Sequence, residues 1–263
     1  MTVYIDNALG NRDFGVAVSH GTVEGYSTIN KYGQALDCDN GVDTDIWDGA
    51  DGVTSTDIWV APTTARVHDL VSASANDDGD PVGTGMRTVK VCGLTGWGAA
   101  ETSEIVTLNG TSNVATANSY VIIHRMIGQT FGSGGTNAGI ITATAQTDGT
   151  ITAAIQAAEG QTLMAIYGIP STQRLHIVYL RTGVLLAAGA EGDITLLVKQ
   201  NADQSDAGFV TRERGEFSDS SPFSRRYGVP KAIEGPAIAK VQVKTNTNGC
   251  VVSAVFDGYL VDH

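Results

Sequence analysis

The residues best equipped for chemistry crowd into one stretch, KYGQALDCDNGVDTDIWDGADGVTSTDIW, from Lys31 to Trp59. It carries seven aspartates (Asp37, Asp39, Asp43, Asp45, Asp48, Asp51 and Asp57) and two tryptophans. Carboxylates at this density point to a calcium cage, to a pair of catalytic acids, or to charge that keeps a docking segment soluble. An EF-hand loop needs acidic oxygens at positions 1, 3 and 5, glycine at 6 and glutamate at 12. With Asp37 first, Gly41 falls at position 5, and Trp47–Asp48 stand where the closing glutamate belongs. The motif fails on spacing. What survives is a looser calcium candidate built from Asp37, Asp39, Asp43 and Asp45, because calcium accepts irregular oxygen cages. The plainer alternative makes the aspartates turn formers on an exposed segment. A glycosidase needs two acids held across a groove. Any acidic stretch offers two, and aromatic residues at 6% leave little surface for stacking sugars.

Other catalytic patterns are missing. The sequence has no GxSxG elbow and no HExxH. GSGGTNAG resembles a phosphate-binding loop but lacks the Lys-Ser/Thr that would hold phosphate and magnesium. The five histidines are dispersed. His124 and His176 lie in apolar runs and read as satisfied core or interface residues. No catalytic residue and no cofactor is assigned. Cys38, Cys92 and Cys250 are odd in number, far apart and without a CxxC pair, so reduced thiols in a cytosolically assembled protein are expected.

Two features point to partners. TRERGEFSDSSPFSRRYGVPK gathers Arg212, Arg214, Arg225, Arg226 and Lys231 in an otherwise acidic chain. It reads either as a solvated loop balanced by Glu213, Glu216 and Asp219, or as a patch that meets the acidic N-terminal segment of a neighbouring subunit. Opposite patches on one chain favour head-to-tail contact, which closes into a ring when the rotation permits. Trp47, Trp59 and Trp97 sit in Gly/Asp-rich surroundings. Such tryptophans either anchor an arm to a partner or plug the ends of the chain's own sheets. Ile46 and Trp47 are the residues expected to insert.

The elements that must hold these residues are strands. Residues 1–60 carry ten acidic side chains against two basic ones, Arg12 and Lys31, with little periodicity. Residues 1–59 are therefore expected to form an extended acidic arm ordered by what it docks on. From Val60 onward strand follows turn. MRTVKVC alternates, ETSEIVTLNGTSNVAT predicts a hairpin turning at Asn109-Gly110, and IITATAQTDGTITAAI predicts another turning at Asp148-Gly149. LMAIYGIP, RLHIVYLRTGVLLAAG, GDITLLVKQ, GFVTRERGEF, AIAKVQVKT and CVVSAVFDGYLV complete the series. In AIAKVQVKT, Lys240 and Lys244 flank Gln242 on the face expected to meet solvent. Only ITAAIQAAEG and TGVLLAAGAEG tolerate helix. The expected fold is all-β, an antiparallel sandwich of jelly-roll type, with a β-rich region over 60–160 and a sandwich region over 161–263 that join into one domain or stand as two.

Composition narrows the function classes. The net charge of −12 disfavours binding to a phosphate backbone. Charged residues reach only 17%, which predicts that a partner covers part of the surface. No run is long enough to span a membrane, and MTVYIDNALGNRDFG lacks the apolar core of a signal peptide, so classical export is not expected.

The order KYGQALDCDNG, DIWDG, SEIVTLNG, GSGGTNAGIIT, GQTLMAIYGIP and VFDGYLVD is similar to that in a group of virion structural proteins of tailed bacteriophages, over about Lys31 to Asp262. The resemblance implies a β-rich particle component, foremost a capsid decoration (cement) protein. It would be made in the bacterial cytoplasm and sit on the capsid surface as a multimer, a homotrimer by expectation, against the major capsid protein. It brings no enzymatic residues. A neck, tail or fibre-attachment component is the alternative within the same class, and a host-glycan-binding module is the alternative outside it.

Overall fold

The computed structural model describes residues 14–49, 57–186 and 189–263. Of the expected arm, residues 1–13 and 50–56, Arg12 and Asp51 among them, lie outside these. The elements among the described residues are almost all strand, with one short helix, and every pairing within the four sheets is antiparallel. In chain order the elements are α1 (Phe14–Ser19), β1 (Tyr26–Cys38), β2 (Asp43–Asp45), β3 (His68–Ser72), β4 (Met86–Leu94), β5 (Thr102–Thr107), β6 (Val114–Ala115), β7 (Ile122–Phe131) and β8 (Ile141–Ala145). Then follow β9 (Ile151–Ile155), β10 (Ile166–Ile169), β11 (Gln173–Leu186), β12 (Glu191–Gln200), β13 (Phe209–Ser218), β14 (Phe223–Glu234), β15 (Ala237–Thr245) and β16 (Cys250–Asp262).

The strands form four sheets, ordered β1-β16-β11-β14, β10-β15-β12-β13 with β2 beside β15, β6-β3-β8-β9, and β5-β4-β7. They stand in a propeller-like arrangement of four rather than as the two stacked sheets of a jelly roll. The blades are not meanders of consecutive strands. Sequence neighbours repeatedly part at a turn, and this is what multiplies the sheets. β13 and β14 are joined by a short turn yet belong to different sheets. Asn109-Gly110 does turn the chain, with Gly110 at φ 54°, but β5 pairs with β4 while β6 pairs with β3. The second expected hairpin forms as read: β8 and β9 pair from Ile141↔Ile155 inward, and Gly149 takes φ 68°. ITAAI is strand, not helix.

The extended arm is the main correction. β1 is a thirteen-residue strand whose inward positions Ile29, Lys31, Gly33 and Ala35 alternate with more exposed ones, and it pairs with β16 along most of its length. Ile46, Trp47 and Trp59 are essentially buried within the chain's own core, at 0%, 1% and 2% exposure. This fits the physics of the segment. Three large apolar side chains gain more from burial than the flanking aspartates lose, provided each buried carboxylate finds a partner. One continuous core takes residues from all four sheets, with Trp47, Trp59, Tyr120 and Phe256 among its largest members.

Candidate functional site

The basic patch is a pair of open strand edges. β13 ends one sheet and β14 ends another, so each has a side with no neighbouring strand in its sheet. Both are exposed along most of their length. Phe223 fixes the corner between them: its ring lies over Gly215, where a Cβ would come within 2.1 Å of it. Glu213 then links the two strands. It accepts from Lys231 at 2.9 Å and Arg225 at 3.3 Å, and from the Tyr227 hydroxyl at 3.3 Å. Burial works against its ionisation, but Lys231 and Arg225 hold its carboxyl below the usual range. Arg225 and Lys231 also flank the Tyr227 ring, 6.0 Å and 5.1 Å from its centroid, and Arg226 lies 5.2 Å from that of Tyr179. Among the described residues Arg212, Arg214 and Arg226 enter no ion pair.

Between Arg226 and Lys231 the register of β14 breaks. Tyr179 pairs with Arg226 and Ile177 with Lys231, so Tyr227–Pro230 bulge out of the ladder. Val229, at the tip, is 85% exposed, more than any other large apolar residue described. An apolar knob on an open edge, with Arg225, Arg226 and Lys231 on the same strand to either side, is the arrangement of a docking surface. The sequence showed the charges but not the bulge, which depends on pairing with β11.

At the far end of β13, lined in part by its Glu216 and Phe217, lies an open cleft of about 610 Å³ that also takes in Asn40, Glu191, Asp193 and Lys244. Its titratable lining is three carboxylates against one lysine, opposite in sign to the β13–β14 patch.

The aspartates disperse rather than converge. Asp45 is fully buried and pairs with Lys240, which is 2% exposed; Gln242 donates to Asp45 at 3.1 Å and the Trp59 amide at 2.8 Å. Burial raises its pKa, and Lys240 pulls it back. Lys240 is thus not on a solvent face: its ammonium is held by Asp45 and lies 4.4 Å from the Phe209 ring centroid. Asp43 faces Lys244 at 3.6 Å, and Asp39 accepts from the Gly249 amide at 3.3 Å. Asp48 accepts from the Leu163 amide at 2.9 Å. Asp37 is half-buried at the end of β1. Among the described residues no group of three or more His, Cys, Asp or Glu is placed to hold a metal, so the calcium candidate of Asp37, Asp39, Asp43 and Asp45 does not assemble.

Nor do the tryptophans offer a docking face. Trp59 donates its indole N–H to the Thr152 carbonyl at 2.8 Å, and Trp47 covers Gly49, where a Cβ would lie 2.1 Å from its ring. Trp97 is partly buried against the core, and its carbonyl accepts from the Ser171 amide. Ile46, Trp47 and Trp59 therefore plug the chain's own sheets.

A polar seam went unnoticed in the sequence. Lys31 of β1, buried, donates to the His124 carbonyl of β7. His124 Nε2 meets half-exposed Glu101 at 2.9 Å, and the Tyr167 hydroxyl of β10 donates to the same carboxylate at 3.3 Å. The His124 and Tyr167 rings lie 4.4 Å apart. Burial lowers the Lys31 pKa to about 7, helped by nearby Arg125, and lowers that of His124 despite Glu101. Glu101 is held below the usual carboxylate range by His124 and Tyr167 against the effect of burial. His124 Nδ1 is sealed from solvent without a hydrogen-bond partner. A neutral ring with its proton on Nε2 fits this, since a bare lone pair is cheaper to bury than an unpaired N–H. The seam ties β1 and β10 to β7 and to the loop before β5. His176 is half-buried on β11.

Compared with known proteins, the chain matches no protein-family model and no curated protein.

Proposed function

We propose that the chain is a non-enzymatic structural component of a tailed-bacteriophage particle, a decoration protein that sits on the capsid surface as a homotrimer and stabilises the head shell against the major capsid protein. The observation that carries this reading is the β13–β14 edge: two open strands, three arginines without an ion pair, and a valine knob, on a chain of net charge −12. Monomeric proteins usually cover or charge such edges against unwanted pairing. Here the charge is opposite to the rest of the surface, so it attracts a second copy. The order of motifs from Lys31 to Asp262 supports the particle context.

The occupant of the edge is the acidic cleft of a neighbouring copy. Val229 enters the cleft towards Phe217, while Arg212, Arg214 and Arg226 face the Glu191, Asp193 and Glu216 rim. This contact is heterologous, and three of them close a ring. A ring that touches several shell subunits at once gains by effective concentration, and binding only to the intact lattice stabilises it.

Sedimentation velocity of the isolated chain tests the ring. The native protein sediments as a trimer that weakens as salt rises, because exposed charge pairs are screened. Val229→Asp and the Glu191→Lys/Asp193→Lys double variant are each monomeric. Mixed, they have one intact knob and one intact cleft between them, and they form dimers but no trimers. A native chain that stays monomeric at high concentration contradicts the reading.

A further inference from the structure

We propose that Cys38 and Cys250 form a redox pair that closes into a disulfide fastening β1 to β16. More than two hundred positions apart in sequence, the two residues are direct partners in the antiparallel register of these strands. Directly opposed residues on antiparallel strands have Cα atoms about 4.5–5.5 Å apart and point to the same face. A disulfide accepts Cα separations of about 4.4–6.8 Å. Both side chains are fully buried, on the core side of their strands. The register shifts between Ala35 and Cys38, so the pairing resumes at the cysteines themselves. Cys92 has no such partner: Ser103 and Arg125 lie opposite it on the two flanking strands.

Oxidation needs an acceptor, and a low-molecular-weight disulfide such as oxidised glutathione supplies it. One cysteine thiolate attacks the glutathione disulfide, forming a mixed disulfide and releasing one glutathione thiolate. The second cysteine thiolate attacks the protein sulfur of that mixed disulfide and releases the other. Two electrons pass from the cysteine sulfurs to glutathione, and the two cysteine protons end on two glutathione thiols. Burial, reinforced by the neighbouring Cys250, pushes the Cys38 thiol up to about 12, so it attacks poorly while the strands are closed. Access comes from the strand ends. Cys38 is the last residue of β1 and Cys250 the first of β16, and exposed residues Asp39–Val42 and Asn248–Gly249 adjoin them. Fraying at these ends exposes both thiols together.

The inference stands apart from the assembly reading, since it concerns one chain and any disulfide oxidant. The test is to refold the unfolded, reduced protein in a buffer of reduced and oxidised glutathione, block free thiols by alkylation and map the peptides. The expected result is one linked pair of peptides carrying Cys38 and Cys250, with alkylation confined to Cys92. Oxidation should also raise Tm by roughly 5–10 °C, as closing a long loop constrains the unfolded chain. A Cys92→Ser variant then retains no alkylatable thiol, whereas Cys38→Ser retains two. Three free thiols after oxidising refolding, separate glutathione adducts on Cys38 and Cys250, or a link through Cys92 would overturn the proposal.

Discussion

At the scale of single residues, buried charge defines this protein more than exposed charge does. Lys31 occupies an inward position of β1, between Ile29 and Gly33, where a strand facing a core ordinarily carries an apolar side chain. Its pKa, lowered from 10.5 to about 7, has a thermodynamic consequence. Between about pH 7 and 10.5 the unfolded chain holds a proton that the folded chain does not, so this group makes stability rise with pH across that window. Below pH 7 the whole penalty is present, on the order of a few kcal/mol. Lys31→Met should therefore raise stability at pH 7, and its advantage over the native protein should shrink by pH 9. Urea unfolding at the two pH values measures the difference, and an advantage independent of pH would show that the amine is not buried in its charged form at pH 7. The sequence made the types of these residues legible but not their burial. The aspartates of Lys31–Trp59 read as solvent-facing, whereas Asp45 and Asp48 are inside. Each is accepted there because a distant residue, Lys240 in one case and Leu163 in the other, arrives to pair with it.

At the scale of elements, alternation predicted the strands well and their partners poorly. MRTVKVC became β4, AIAKVQVKT became β15 and CVVSAVFDGYLV became β16; period-two burial runs along β16, whereas β15 is buried without a break from Ala237 to Val241 because sheets and β2 cover both its faces and edges. Which strands pair is decided by contacts across the chain, so the Asn109-Gly110 hairpin divided between two sheets and the acidic arm became two strands, β1 on β16 and β2 on β15. Gly33 shows how tightly that arm is woven in. A Cβ there would lie 2.4 Å from the Ala165 amide and 2.8 Å from Ile46. The backbone of β1 thus approaches that of the 161–166 segment, and nothing flexible can move aside. Gly33→Val should destabilise the fold by about 1–3 kcal/mol or more through overpacking, read from the urea midpoint. A loosely docked arm would accept the change at no cost. The basic patch was only half legible for the same reason. Its five cations were visible in TRERGEFSDSSPFSRRYGVPK, but the segment read equally well as a solvated loop. It is instead two strands with a corner, and the Tyr227–Pro230 bulge exists only because β14 pairs with β11 on either side of it.

For the molecule as a whole, four sheets share one core. The interior is closed by the chain's own tryptophans, so any partner must be met elsewhere. The described surface offers a cation-rich edge and a carboxylate-lined cleft. If copies join through them, the assembly has a direction, each chain giving a knob to one neighbour and a cleft to the other. That directionality suits a ring seated on a lattice, whose symmetry fixes how many copies can meet. The most direct measurement is a cryo-EM reconstruction of particles purified from the phage in which the proposal places this chain. The account predicts density for the chain at repeated positions on the outside of the head, in threefold clusters whose contacts run through β14. Density at the tail alone, particles lacking the polypeptide, or isolated copies with the β14 edge facing solvent would contradict it.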